Sequence, residues 1–341
     1  ISLPPGFEIS VFAEVPGARS LAATEDGSVI FVGTRGDELY SVTDSDGDGA
    51  ADAVRRRASG LKVPNGVAVA DGRLYLGLQD RLVVSEADDA LAADGAIRPL
   101  GTIWDGMADR GHHGWRYIGA GPEGRLHISL GAPCNICDLT PVTGKILRME
   151  PDGTDVQLLA DGVRNSVGFD WHPGTGEFWF TDNGADRMGD DIPPDELNRV
   201  TRAGQHFGFP WLGGADVALA GYEGATPPAD AQAPEMAFQA HVAALGIDFY
   251  EGGMFPAAYR GDAFVAQHGS WNRTVPVGYR VMRVRFDADG NAAGKEVFAD
   301  GWLGDDGRAW GRPVDIEELP DGSILVSDDH AGLIYRISRA R

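Results

Sequence analysis

Residues 111–116 read Gly111-His112-His113-Gly114-Trp115-Arg116. A neutral imidazole suits general-base work near neutral pH, and the flanking glycines leave the backbone free to carry it into a cavity. The bland alternative is a histidine bonded to a loop carbonyl. Arg164-Asn165 forms a second polar pair, able to fork onto a carboxylate or a quinone-type oxygen or to serve as a structural ion pair. Arg312, and Arg273 at the end of His268-Gly269-Ser270-Trp271-Asn272-Arg273, repeat the theme. The chain has a formal net charge of −22, so several cations at comparable places stand out and point to an anionic ligand.

Two segments suit a hard, oxygen-seeking cation. Asp182-Asn183-Gly184-Ala185-Asp186 offers turn carbonyls and carboxylates of the kind calcium takes, with a plain Asx turn as the alternative. Asp44, Asp46 and Asp48 followed by Gly49 match the first half of an EF-hand loop, with Asp52 close behind. The twelfth position, where a bidentate Glu belongs, is Arg55, so the full motif fails and a modified calcium loop competes with a solvated acidic turn. Cys134 and Cys137 are the only cysteines. Only Asp138 stands near them as a further zinc ligand, and no βαβ setting supports a thioredoxin-type motif. A small local disulfide made in an oxidising compartment is preferred to two free thiols.

Composition removes other classes of function. With 51 acidic against 29 basic residues, the surface repels phosphate backbones and anionic lipid, which argues against nucleic-acid or membrane-surface partners. No apolar run is long enough to span a bilayer as a helix. Only Lys62, Lys145 and Lys295 are lysines, a bias best put down to genome composition or an acidic, salt-adapted surface. No G-x-S-x-G, P-loop or strand-linked G-x-G-x-x-G supports serine-hydrolase or nucleotide chemistry. The chain begins at Ile1-Ser2-Leu3-Pro4-Pro5 rather than Met, from which a mature chain with its secretory signal removed is expected, and hence a periplasmic or secreted location.

The elements that must position these residues are set by a repeated phrase: an apolar entry, a tight turn often built on Asp-Gly, then a second alternating strand. It runs through Leu21–Gly33, Gly66–Gly77, Tyr117–Ser129, Val167–Asp182, a degenerate fifth copy from Leu245 to Ala266, and Val314–Asp328. Period-2 alternation around Asp-Gly turns is a strong hairpin signal, and 48 Gly with 20 Pro suit many short strands. Six copies of a three- to four-stranded unit predict an all-β fold, a six-bladed β-propeller of four-stranded antiparallel blades, as one domain over residues 1–341. Ligand sites on such a ring lie on one face around the central channel. The residues to watch follow the second strand of each blade or sit in long insertions, the longest being in blades four and five.

Several segments together resemble the soluble sugar dehydrogenases that depend on pyrroloquinoline quinone (PQQ), in particular the aldose and sorbosone dehydrogenase branch related to the soluble glucose dehydrogenases. These are His112-His113-Gly114-Trp115-Arg116 with Gly121-Pro122-Glu123-Gly124, Gly131–Cys137, Gly162–Gly168, Asp195-Glu196-Leu197-Asn198, Phe207–Trp211, Tyr259–Phe264 and His268–Arg273. The resemblance implies PQQ at the mouth of the channel and His113, by its spacing from Gly121-Pro122, as the general base that takes the substrate hydroxyl proton. It implies Arg164 and Asn165 at the reactive side of the quinone, the arginine stabilising developing negative charge. Arg312 matches a clamp on a PQQ carboxylate, and the main-chain carbonyls of Gly184 and Ala185 match the positions that hold the PQQ calcium. Departures are plain. No lysine stands near the blade-five insertion, where Arg273 is the candidate replacement, and His112 occupies the place of an Asp. Pro64 replaces a Gln before Asn65-Gly66, a further cofactor-binding position. A monomeric aldose dehydrogenase of broad specificity, passing electrons to a cytochrome or quinone acceptor, is therefore expected. The alternatives are a calcium-dependent sugar lactonase and a non-catalytic NHL-type binding propeller.

Overall fold

The computed structural model describes residues 1–87 and 89–340. Six antiparallel sheets follow one another along the chain, each with its first strand innermost. The first blade pairs Ala18–Ala23, Ile30–Thr34, Leu39–Thr43 and Ala53–Ala58 in that order. The second uses Gly66–Ala70, Arg73–Gly77, Leu82–Ser85 and Leu100–Trp104. In the third, Ile118–Ala120, Leu126–Leu130, Lys145–Met149 and Gln157–Asp161 are extended by the two-residue parallel strand Gln205–His206. The fourth blade is Phe169–Trp171, Phe178–Asp182, Glu196–Val200 and Met236–Ala237, and the fifth Ala244–Phe249, Ala263–Gln267, Arg280–Phe286 and Ala292–Asp300. The sixth is Pro313–Glu318, Ile324–Asp328 and Leu333–Arg339, and its outer strand is Phe7–Glu14 from the other end of the chain. Seven register pairs, from Phe7–Arg339 to Glu14–Leu333, thus close the ring and protect what would be a free sheet edge. The fold is the six-bladed propeller that the repeats predict.

The burial pattern differs from simple alternation. The second strands Ile30–Thr34, Leu126–Leu130, Phe178–Asp182, Ala263–Gln267 and Ile324–Asp328 are buried at every position. Each blade is sandwiched between two neighbours, so both faces of its middle strands meet apolar surface. The cores lie between blades. Phe264, Phe298, Trp302 and Tyr250 pack with Ile316, Val326 and Tyr335 across the fifth and sixth blades, and Phe7 of the closing strand sits edge-on to Phe255 and Phe298. Each such side chain contributes about 1.5–3 kcal/mol of burial free energy, which holds the inner ends of the blades at fixed spacing around the channel. No helix among the described residues is long and apolar enough to cross a membrane.

Candidate functional site

Two sets of residues converge on one end of the channel. One set precedes or opens the innermost strands, with Arg19, Arg164, Asn165 and Arg312; the other follows the second strands, with Arg35, Asn183, Gly184, Asp186 and His268. They line a cavity of about 610 Å³ together with His112, His113, Trp115, Trp271 and Asn272. Four arginines therefore face two lining carboxylates, Asp186 and Asp195. That local reversal of the chain's overall sign favours an anionic occupant.

His113 is buried, with a left-handed backbone (φ 48°) that re-aims its side chain within the Gly-His-His-Gly turn. Its Nδ1 lies 3.0 Å from the Ala132 carbonyl. A carbonyl only accepts, so Nδ1 carries the hydrogen and Nε2 keeps the lone pair a general base needs. Burial, the Arg164 charge and His112, whose ring centre is 4.1 Å away, hold His113 well below the usual histidine range, so it stays neutral. The loop that carries it is tied down by buried Arg116, whose guanidinium donates to the carbonyls of Gln79 and Ala108.

Arg164 is fixed by four donor bonds: Nε to Asn135 O, Nη1 to Asn183 O, and Nη2 to both Asn135 Oδ1 and Asp186 Oδ2. A guanidinium has five N–H groups, so one, on Nη1, is left for a ligand. The backbone beneath is held by Asp182, which ends the second strand and accepts from the N–H groups of Arg164 (2.7 Å) and Asn165 (2.5 Å). Burial raises that carboxyl to about 6 against those two bonds. Asp328 does the same for Arg312, accepting its N–H at 2.9 Å. Arg312 itself is loosely held, 3.5 Å from His268 Nδ1 and above the Tyr279 ring.

Two of the cavity arginines, Arg19 and Arg35, were not among the residues singled out from the sequence. Arg19 Nε donates to Asn65 Oδ1 at 2.7 Å and Nη1 to Asp329 at 2.6 Å. Arg35 stacks 3.5 Å over Trp115 with part of its side chain left in solvent, and desolvation of its guanidinium together with the Arg19 charge lowers it to about 10. Asp329 is pinned by His268 Nε2 at 2.8 Å and by Arg19; burial works against its charge, but these partners keep it below the usual carboxylate range. Both arginines have positional signals. Arg19 opens an innermost strand as Arg312 precedes one, and Arg35 directly follows a second strand.

The remaining expected residues are placed as follows. Gly184 lines the cavity and must be glycine, because a Cβ there would come within 2.5 Å of the Pro194 carbonyl; its N–H donates to Asp195. Ala185 is buried behind it. Asn65 lies under the floor, fully buried, where it orients Arg19 and donates to the Arg116 carbonyl. Arg273 is not brought to the cavity, since its guanidinium is engaged by the carbonyls of Asp190 and Ala240 and by Asp191. Asp44, Asp46 and Asp48 do cluster, their nearest oxygens within 4.8 Å of one another, but on the hairpin between the two outer strands of blade one. Asp52 is not part of that group and accepts from the N–H and hydroxyl of Ser45. Cys134 and Cys137 form a disulfide.

A planar polyanion with carbonyl oxygens suits the four arginines and the flat Trp115 and Trp271 rings of the lining. Among the described residues, two buried polar atoms in its lining, His241 Nδ1 and Asn272 Oδ1, have no partner in the protein. Both are acceptors, His241 because its Nε2–H donates to the Gly189 carbonyl, so what they lack is a donor and not the oxygens of an anion.

Comparison with known proteins places the chain. Residues 220–340 match the family model described as TrAA12-like. An uncharacterized protein of Borreliella burgdorferi is 33% identical over 99% of this chain and 90% of its own length. Among solved structures, the calcium structure of the Trichoderma reesei Carbohydrate-Active Enzymes Family AA12 protein matches with a TM-score of 0.83 at 20% identity, covering 99% of this chain and 97% of the other. The holo form of the pyranose dehydrogenase PQQ domain from Coprinopsis cinerea follows at 0.81 and 18%, with the same coverage. The PQQ-bound aldose sugar dehydrogenase of Streptomyces coelicolor has a TM-score of 0.66 at 19% identity, over 99% of each chain. At these identities the structural likeness carries the fold.

Proposed function

This chain belongs to the TrAA12-like family, and from that premise we propose that it is a PQQ-dependent sugar oxidoreductase that oxidises aldoses, at the anomeric carbon, to lactones. The observation that carries the reading is the arginine-lined cavity holding a neutral, Nε2-basic histidine. PQQ bound there would accept hydride from the sugar, and calcium on the Gly184 and Ala185 carbonyls would polarise it. The protein's own part follows from the geometry. Arg312 and Arg35 have donors to spare for carboxylates, Arg19 adds charge from the floor, and Trp115 offers a flat apolar wall. His113 Nε2 receives the proton of the sugar hydroxyl, and Arg164 presents its one free N–H from a fixed position toward developing negative charge. Asn165, which also lines the cavity, adds an amide beside it.

A lactonase would need a metal held by side-chain Glu, Asn and Asp in the channel and gives no reason for arginines to gather there. A binding propeller gives no reason for the His113 tautomer. The disulfide supports assembly in the periplasm or outside the cell. A monomer passing electrons to a cytochrome or quinone acceptor completes the proposal. The test is dye reduction by the apo-protein supplied with PQQ and calcium, over a panel of aldoses. Saturable turnover that needs both additions is expected. No turnover, together with no change in the PQQ spectrum, would overturn the reading.

A further inference from the structure

The segment Gly131–Cys137 follows the second strand of blade three and runs against His113, Asn165, Arg164 and Asp186. A Cβ on Gly131 would lie 2.5 Å from the His113 Cβ and 3.0 Å from Asn165 Oδ1. The Ala132 carbonyl sets the His113 tautomer, and the Ala132 N–H donates to the Arg164 carbonyl at 2.7 Å. Asn135 does most. Its carbonyl accepts Arg164 Nε at 3.0 Å and its Oδ1 accepts Arg164 Nη2 at 2.7 Å and the Asp186 N–H at 2.8 Å. Its Nδ2 donates to the Asp186 carbonyl at 2.9 Å. One side chain therefore ties Arg164 to the Asn183–Asp186 turn, although it is not itself part of the cavity lining.

We propose that Asn135, held in the small ring closed by the Cys134–Cys137 disulfide, is the positioning residue of this site, fixing the Arg164 guanidinium and the Asp186 peptide in register with each other. An arginine side chain left to itself samples many rotamers, and a fixed charge aimed at a reacting atom loses its effect with small displacements. The amide is specified chemically. It accepts from a cation and an N–H on one side and donates to a carbonyl on the other, which a carboxylate beside Asp186 cannot do. The disulfide limits the backbone freedom of the residue whose carbonyl holds Nε.

The role toward substrate rests on the PQQ reading, so the experiment has one arm that does not need the cofactor. Arginine modification of the apo-protein by phenylglyoxal, followed residue by residue by mass spectrometry, reports how firmly Arg164 is held. Its side chain is 5% exposed, whereas Arg35, at 40%, serves as the reference. Asn135→Ala, with Asn135→Ser as a milder second variant, is expected to speed Arg164 modification at least ~10-fold while leaving Arg35 and Arg116 unchanged. In the loaded enzyme it lowers kcat by roughly 10–100-fold with little change in KM for the sugar, and in an Arg164→Ala background it has no further effect. Unchanged modification of Arg164, or faster modification of all buried arginines together, would overturn the proposal. So would independent, multiplicative effects of the two substitutions. Faster modification in a protein whose wild type binds no PQQ would instead overturn the functional reading and leave the positioning role standing.

Discussion

The two ends of the central channel are built from the same six innermost strands and gather opposite kinds of ionisable group, arginines at one and carboxyls at the other. At the end where the strands begin, Arg19, Arg35, Arg164 and Arg312 line a cavity of about 610 Å³. Further along, Asp170, Asp248 and Glu317 line a hollow of about 170 Å³. The arginines are held by hydrogen bonds, ion pairs and stacking. The carboxyls accept backbone N–H groups, Ala23 to Glu317 and Phe249 to Asp170, but no ion pair among the described residues reaches them: burial, with Asp315 and Asp170 nearby, raises Glu317 to about 8, and burial raises Asp170 to about 7. The difference teaches that burial alone does not make a site. A buried charge becomes useful where partners engage most of its donors and leave one free, as Asn135 and Asp186 do for Arg164. Where no cation answers a buried carboxylate, the group takes a proton and becomes a structural element.

Predictions that break or sharpen this contrast can be ordered by size. The largest effect belongs to His113→Ala, which should lower kcat by about 10²–10⁴-fold while PQQ binding, measured by tryptophan quenching, stays nearly intact. Equal loss of binding would assign His113 a structural role. Next, Arg312→Ala should weaken PQQ binding by roughly 10–100-fold, since a charge-assisted bond is worth about 1.5–3 kcal/mol. Arg273→Ala, outside the cavity, should leave the affinity unchanged, and a comparable loss there would redraw the binding face.

The pH profile is the third test. A base held below the usual range stays neutral as pH falls, so kcat/KM should remain flat through pH 6.5 and decline only below it. An acid limb centred at or above 6.5 would contradict the burial argument.

The smallest effect lies at the other end of the channel. Glu317 has a raised folded pKa, so its contribution to stability is full below about 4.5, the unfolded value, and is lost as pH rises toward 8. Glu317→Gln, which imitates the protonated form, should raise Tm by about 2 °C at pH 8 and not at pH 4. A drop at pH 8 would mean that the carboxylate is paired after all.

The ring of six hairpins was legible because Asp-Gly turns and period-2 runs are local signals. The strand Phe7–Glu14 was not assigned to the last blade, because its partner lies at the opposite end of the chain and no local pattern encodes that pairing. His113, Arg164, Asn165 and Arg312 were legible as polar residues at the entrances of apolar strands, and the fold gathers them. Arg19 and Arg35 occupy the same two kinds of position but lie outside any family motif in the sequence. Arg273 shares a motif with Trp271 and Asn272, yet three carbonyl and carboxylate partners near Asp190 draw it away, and such partners are visible only in three dimensions.

The central claim is that the arginine-lined end of the channel binds a polyanionic quinone. Its most direct test is a titration of the calcium-loaded apo-protein with PQQ, followed by quenching of the lining tryptophans Trp115 and Trp271 at low and high salt. The account predicts saturation near one PQQ per chain, with affinity falling as salt screens the arginines. No quenching, or binding that does not saturate and is indifferent to salt, would contradict it.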